Sequence, residues 1–130
     1  MTPVGQFVCT KRNALGITQD QLAQKLGVDA SYVNRIEKGK KSPGNLRFLE
    51  NLAECLELSA GETTTLFTAA KLSQRVVRMP ANLSPKGYAL VADLVSGITE
   101  LNDAQLSLLE TMINAVRSGA MQPSNTSSNV

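Results

Sequence analysis

The 130-residue sequence contains no histidine and no tryptophan, and it has only two cysteines. Histidine is the most common general base and a common metal ligand, so its absence argues against many catalytic and metal sites. Cys9 and Cys55 lie far apart and form no Cys-x-x-Cys pair, which is typical of reduced thiols in the cytoplasm. Phosphate-binding loops and paired carboxylates are also missing. We therefore expect no catalytic residue, no metal and no cofactor.

Long apolar runs are absent as well. No stretch reaches the roughly 18 apolar residues that a membrane span needs, and the N-terminus lacks the pattern of a signal peptide. Hydrophobic residues still make up 42% of the chain, which is typical of a globular protein. The sequence therefore predicts a cytoplasmic protein with no membrane partner, built from one domain or from a small domain with an appendage.

The charges are distributed unevenly along the chain. Residues 1–50 carry eight Lys and Arg against four acidic residues, whereas residues 51–130 carry five against seven. The net charge of +2 thus combines a basic N-terminal part with a mildly acidic remainder. This distribution suits an anionic partner at one end of the molecule, although the excess is too small to identify nucleic acid by itself.

One stretch in the basic part has the pattern of two short helices joined by a tight turn. Thr18 and Gln21 form a capping box that predicts the start of the first helix. Gly27 can adopt the left-handed conformation that ends this helix. Asp29 is a suitable N-cap for the second helix, which we expect over residues 30–38.

The second helix of this pair has two different sides. Val33 and Ile36 would face a core, and the opposite side carries Ser31, Asn34, Arg35 and Lys38. Arg can bond bidentately to guanine, Asn to adenine, and Ser to either, so this side could read the major groove of DNA. Considered alone, the same pattern is equally typical of an ordinary solvated face.

From Val4 to Ser59 the chain resembles the Cro/cI-like (XRE) family of phage-repressor helix-turn-helix proteins. The resemblance is carried by the string GITQDQLAQKLGV, followed by SYV and IEKG, together with Arg12, Pro43, Ala53 and Leu56. It implies an all-α, five-helix, lambda-repressor-like domain that binds operator DNA, usually as a homodimer.

The resemblance also implies roles for individual residues. Bases would be read by residues on the second helix of the pair, namely Ala30, Ser31, Asn34 and Arg35. Phosphates would be contacted by Thr18, Gln19, Tyr32, Lys38, Lys40 and Lys41. Arg12 would form a structural ion pair with Glu37, tying the first helix of the domain to the end of this recognition helix. The alternative for Arg12 is an exposed cation of little consequence.

The other helices of this domain follow from periodicity and caps. We expect the first helix over residues 3–15 and a fifth helix opened by a capping box of Ser59 and Glu62, so that the domain spans residues 1–71. The fourth helix would place a stripe in the core, consisting of Leu46, Leu49, Leu52, Ala53 and Leu56.

The remainder is predicted to be a linker over residues 72–83, a helical hairpin over 84–118 and a disordered tail over 119–130. In the hairpin, Ser84 would cap the first helix, and a capping box of Asn102 and Gln105 would open the second. Lys71, Arg75 and Arg78 could reach flanking phosphates, but a solvated connector is the favoured interpretation of the linker.

The hairpin is too apolar to cover its own stripes. We interpret it as a dimerisation element whose contacts come from Leu94, Ile98, Leu106, Leu109, Met112, Ile113 and Val116. The alternative is that it caps the core of the N-terminal domain.

The sequence as a whole predicts a sequence-specific, double-stranded-DNA-binding transcriptional regulator, most simply a homodimeric repressor on an inverted-repeat operator. One alternative is an antitoxin of the same family, which would bind its own promoter and hold a toxin through its C-terminal part. Another is a protein-interaction module that has lost DNA binding. Asn34, Arg35 and the lysines after the recognition helix argue against the last alternative, because such a module has no need of them.

Overall fold

The computed structural model describes residues 1–119. Within that range the chain forms seven α-helices and no strand, so the predicted all-α fold is confirmed. The chain divides into two compact units, residues 1–78 and residues 79 onward. The disordered tail predicted from residue 119 lies, from residue 120 on, outside the described residues.

The first unit contains five helices, and their ends follow local sequence signals. They are α1 (Pro3–Ala14), α2 (Gln19–Leu26), α3 (Ala30–Glu37), α4 (Leu46–Cys55) and α5 (Ala60–Leu72). The predicted capping boxes at the starts of α2 and α5 are both present. Gly27 ends α2 with a φ of 74°, as expected. Asp29 occupies the N-cap position of α3, but its side chain makes no capping hydrogen bond.

A single apolar core joins these five helices. Its largest fully buried side chains come from every helix and are Val4, Val8, Leu22, Val33, Ile36, Leu52 and Leu66. Burying a side chain of this size contributes about 1.5–3 kcal/mol. The core therefore holds α3 by one side, through Val33 and Ile36, and leaves the opposite side of that helix free.

The prediction that Leu46 belongs to the core is wrong. Its side chain is 59% exposed, whereas the other members of the predicted α4 stripe are buried. Leu46 is the first residue of α4, and helical side chains lean toward the N-terminus. Its side chain lines an open surface pocket together with Leu49 and Phe67, so it borders the core without being covered.

Helix α1 passes very close to the end of α3 at Gly5. Gly5 is buried, and a Cβ atom at this position would overlap the carbonyl oxygen of Ile36 and crowd that of Glu37. Backbone carbonyls cannot move aside as a flexible side chain can. The absence of a side chain at Gly5 therefore sets how closely α1 and α3 approach.

An ion pair ties the same two helices together. Nε of Arg12 donates to Oε2 of Glu37 at 2.7 Å, and Nη2 donates to Oε1 at 3.0 Å. The two side chains are only 12% and 5% exposed. Burial would raise the pKa of Glu37, but hydrogen bonds from Arg12 and Gln19 outweigh it and lower the pKa below its ordinary value. The carboxylate is therefore ionised at neutral pH and fixed at the C-terminal end of α3.

The residues just after α5 also belong to the first unit. Ser73 is buried, its hydroxyl accepts a hydrogen bond from the N–H of Val4 at 2.9 Å, and it donates to the carbonyl of Ala69 at 2.6 Å. The N–H of Val4 lies in the first turn of α1 and has no partner within that helix. Ser73 satisfies it. The start of the segment predicted to be a linker is thus attached to the N-terminal domain.

The second unit consists of α6 (Pro85–Gly97), a 3₁₀ turn (Ile98–Glu100) and α7 (Asp103–Arg117). The predicted caps are present: Ser84 accepts from the N–H of Gly87, and a capping box of Asn102 and Gln105 opens α7. Neither helix contains a buried residue. This unit therefore has no core of its own among the described residues.

An apolar groove runs between the two helices of the second unit. It encloses about 350 Å³ and is lined by Leu90 and Leu94 of α6 and by Leu109, Met112, Ile113, Val116 and Arg117 of α7. We call this feature the α6–α7 groove. Of the helices within residues 1–119, none has both the length and the hydropathy that crossing a membrane would require.

Replacing Gly5 with Ala tests the close approach of α1 and α3. Because the added methyl group meets backbone oxygens, we expect Gly5→Ala to lower the free energy of unfolding by about 1–3 kcal/mol, as overpacking does. At Gly61 in α5 a Cβ atom would meet no other atom within 4 Å, so Gly61→Ala is the control and is expected to stabilise by up to about 1 kcal/mol. Urea unfolding at neutral pH measures both, and equal stabilities would contradict the proposed close contact.

The ion pair predicts a specific acid sensitivity. A carboxylate whose folded pKa is depressed contributes stability above its unfolded pKa of about 4.3, and this contribution is lost as the pH falls through the folded value. At neutral pH, Glu37→Gln leaves the Arg12 cation without its partner, so we expect the free energy of unfolding to fall by about 3 kcal/mol or more.

The measurement is urea unfolding of the wild type and of Glu37→Gln at neutral pH and at a pH below 4. The difference in free energy of unfolding between the two proteins should be smaller at the lower pH, because protonated Glu37 is uncharged, as Gln is. Glu62→Gln is the control, since Gln keeps the capping box of α5 and removes only the half-exposed pair with Lys11. A Glu37→Gln protein that is no less stable than this control would contradict the prediction.

Candidate nucleic-acid interface

Helix α3 has one buried side and one side that is open to solvent. Val33 and Ile36 are each 1% exposed and Glu37 is 4% exposed. On the opposite side the residues predicted to read bases are arranged along the helix, with Ser31 and Arg35 exposed and Ala30 and Asn34 half-buried. The described structure thus presents a guanidinium, a hydroxyl and an amide on a helix that the core holds from behind.

A chain of polar contacts supports this side of α3 from within the domain. Glu37, already paired with Arg12, accepts a further hydrogen bond from Nε2 of Gln19 at 3.0 Å. Oε1 of Gln19 in turn accepts from Nδ2 of Asn34 at 3.3 Å. The four side chains connect α1, α2 and α3. The amide of Asn34 is therefore oriented by the ion pair through Gln19.

Gln19, which was predicted to contact a phosphate, also has partners inside the protein. Its Nε2 uses one of two N–H donors for Glu37, and its Oε1 accepts from Asn34, so one side-chain donor is left for a phosphate. Its backbone N–H lies in the first turn of α2, where helices leave donors without intrahelical partners. The backbone N–H of Gln19 and the second N–H of its side-chain amide are therefore the groups it could offer to an anion.

Two other residues predicted to contact phosphates have structural contacts of their own. The Thr18 hydroxyl accepts from the N–H of Gln21 and so caps α2. Tyr32 is half-buried, and its ring packs edge-on against that of Phe48, with 5.6 Å between the ring centroids and 84° between the planes. The aromatic contact fixes the outer side of α3 against α4.

A cationic turn follows α3. Lys38, Lys40 and Lys41 are all exposed, and the N–H groups of Lys40 and Lys41 both bond to the carbonyl of Arg35, at 2.8 and 3.1 Å. Gly39 has a φ of 81°, a left-handed conformation that glycine adopts without strain. The three lysines, which we call the cationic turn, are thus folded back over the end of α3, next to Arg35.

The structure brings one further cation, Arg75, to this turn. Nη2 of Arg75 donates to the carbonyl of Gly39 at 2.7 Å. The two residues are 36 positions apart, so no local pattern indicated the contact, and a solvated connector had been the favoured interpretation for this segment. The structure places this guanidinium beside the cationic turn.

The residues predicted to mediate dimerisation lie in the second unit, mostly along the α6–α7 groove. Leu94, Leu109, Met112, Ile113 and Val116 line the groove, and Leu90, which was not predicted, lines it as well. Ile98 and Leu106 were predicted to take part but do not line it. Ile98 lies in the 3₁₀ turn, where the helical spacing that suggested its position no longer applies.

The two cysteines and the carboxylates form no further site in the part of the chain that the structure describes. Cys9 and Cys55 are half-buried free thiols, and burial raises the pKa of Cys55. Residues 1–119 contain no group of three or more Cys, Asp or Glu side chains placed to hold a metal ion.

Comparison with known proteins identifies this arrangement. Residues 10–62 match the family model described as Helix-turn-helix, and no solved structure matches the chain significantly. The matched segment contains α2, α3, the cationic turn and α4, that is, the elements that carry most of the exposed polar groups described above. Residues 10–62 therefore form a helix-turn-helix domain of the Cro/cI-like (XRE) type, which indicates a DNA-binding regulator of transcription.

Proposed function

We propose that the protein is a homodimeric repressor that binds an inverted-repeat operator, with one α3 helix in the major groove of each half-site. Repression would follow from occupancy of a promoter. The observation that carries the proposal is the two-sided α3, which is anchored by Val33 and Ile36 and leaves Ser31 and Arg35 open to a groove.

In this proposal the bases are read from the open side of α3. Arg35 is exposed and can bond to N7 and O6 of guanine, whereas Ser31 can bond to either kind of base. Asn34 would contact adenine with the part of its amide that Gln19 does not hold. The methyl group of Ala30 would contact thymine. A side chain held in place before binding loses less conformational entropy on binding, which favours the oriented Asn34 as a specific reader.

Phosphates would be contacted on both sides of these base contacts. The cationic turn supplies Lys38, Lys40 and Lys41 after α3, and the backbone N–H groups at the start of α2 supply donors before it. Such contacts place the protein on the duplex and carry no sequence information. They would account for most of the dependence of binding on salt, because each neutralised phosphate releases condensed cations.

The proposed homodimer would form through the α6–α7 groove. The second unit buries none of its helical residues, and a segment this small lacks the core that independent stability requires. A second copy would cover the apolar lining of both grooves at once, as in a two-fold interface. Dimerisation would also suit DNA, since helix-turn-helix dimers bind half-sites about 34 Å apart.

Replacing one base-reading residue and one phosphate-contacting residue tests the assignment of the DNA surface. We expect Arg35→Ala to cost about 1–3 kcal/mol of operator binding and to relax the preference at one base pair. Lys40→Ala should weaken all sequences alike and reduce the slope of log K against log salt by about 0.9. Operator selection from a random pool, followed by titrations at several salt concentrations, measures both effects.

The two variants serve as controls for each other, because each removes one exposed cation from neighbouring positions. An Arg35→Ala protein that keeps wild-type affinity and selects the same sequences would show that α3 does not read DNA through this side.

The dimer is tested by placing a charge in the groove. Ile113 lines the α6–α7 groove and is 52% exposed, so Ile113→Glu should preserve the helix of a single chain but prevent two apolar surfaces from meeting. We expect it to weaken self-association at least tenfold in sedimentation velocity. Leu108→Glu is the matched control, since Leu108 also lies on α7 and is 61% exposed but does not line the groove.

If Ile113→Glu associates as tightly as Leu108→Glu, the groove is not the dimer interface. A wild-type chain that remains monomeric at every concentration would refute the homodimer itself. In that case the groove would be open to another protein, as in the antitoxin alternative, and co-purification with the product of a neighbouring gene would test this.

A further inference from the structure

The hydrogen bond between Arg75 and Gly39 joins the end of the first unit to the DNA-binding surface. Arg75 lies beyond residues 10–62, the segment that matches the Helix-turn-helix family. Its guanidinium nevertheless reaches the carbonyl of Gly39, the residue between Lys38 and Lys40. The fold therefore adds a fourth cation to a turn that already carries three.

The backbone before Arg75 is held in place as well. Ser73 is 5% exposed and links the first turn of α1 to the last turn of α5 through its two hydrogen bonds. Arg75 follows two positions later, so the position of its backbone is restricted by the attachment of Ser73. Arg75 is thus restrained at both ends of its side chain. Ser73 restricts the backbone from which the side chain extends, and the carbonyl of Gly39 holds the guanidinium.

This restraint does not exhaust the bonding capacity of the guanidinium. Arginine has five N–H donors, and the contact with Gly39 uses one of them. Among the described residues no carboxylate forms a salt bridge with Arg75. Cations gathered without a counter-charge repel one another, and a phosphate group placed among them would relieve that repulsion.

We propose that Arg75 contacts a DNA phosphate beside the cationic turn, so that the DNA-contacting surface extends past α5 and beyond the matched segment. The inference rests on the proposed phosphate contacts of Lys40 and Lys41. Arginine suits this role because its planar guanidinium can donate two parallel hydrogen bonds to phosphate oxygens. The bond to Gly39 orients it before binding, which lowers the entropy lost when the contact forms.

The competing role for Arg75 is a brace that holds the turn and never meets DNA. The two roles differ in how binding responds to salt. A phosphate contact releases condensed cations, so its removal reduces the slope of log K against log salt by about 0.9. A brace affects affinity through the shape of the turn and leaves the number of phosphate contacts, and hence the slope, nearly unchanged.

The experiment uses the full chain with three substitutions and a duplex containing the selected operator. Arg75→Gln removes the charge, and Arg75→Lys keeps it. Arg78→Gln is the matched control, because Arg78 is exposed on the same segment and its replacement changes the net charge equally. Thermal unfolding of each variant verifies that the first unit remains folded. Titrations from about 0.05 to 0.2 M salt then give affinity and slope.

We expect Arg75→Gln to lose affinity for operator and for unrelated duplex alike, with a slope reduced by about 0.9 relative to wild type. Arg75→Lys should keep most of the slope. Arg78→Gln should show smaller decreases in affinity and in slope than Arg75→Gln. If Arg75→Gln matches Arg78→Gln, or loses affinity at an unchanged slope, the phosphate contact is refuted. If the wild type binds no duplex at all, the proposed function itself fails, and this result is distinct from either outcome at Arg75.

Discussion

The position of helix α3 depends on the carboxylate of Glu37, which the fold removes from water. Hydrogen bonds donated by Arg12 and Gln19 offset the cost of burying the carboxylate of Glu37. Breaking the ion pair would leave an uncompensated buried charge. The close approach at Gly5 brings α1 near enough for the pair to form. Through Gln19 the same carboxylate also orients Asn34 on the outer side of the helix. One group thus couples the packing of α3 to the base reading that we propose for Asn34.

The two units of the chain differ in how they are stabilised. The first has a core to which all five helices contribute, and hydrogen bonds from Ser73 and Arg75 attach the residues after α5 to it. The second has well-capped helices but no buried side chain among the described residues. Caps determine where a helix starts, but a helix gains most of its stability from covering an apolar face. The apolar faces of α6 and α7 are therefore left without a core among the described residues, which is the reason for proposing that a second copy covers them.

Sequence and structure agree best where the signal is local. The capping boxes at Thr18, Ser59 and Asn102 and the left-handed Gly27 all lie where the sequence predicted them. Each of these involves residues within a few positions of one another, so neighbouring side chains decide the outcome. The same reasoning failed at Leu46, because periodicity identifies a face of a helix but not whether a neighbouring element reaches its end.

The sequence by itself determined the helices, most of their caps and the residues on the open side of α3, since these follow from short-range hydrogen bonding and spacing. Only the tertiary structure decided that the amide of Gln19 is committed to Glu37 and Asn34, that Ser73 is buried against α1, and that Arg75 reaches Gly39. Each of these contacts joins residues that are distant in sequence. Their formation depends on how the core packs the helices together, and no local sequence pattern shows which distant residues this packing brings into contact.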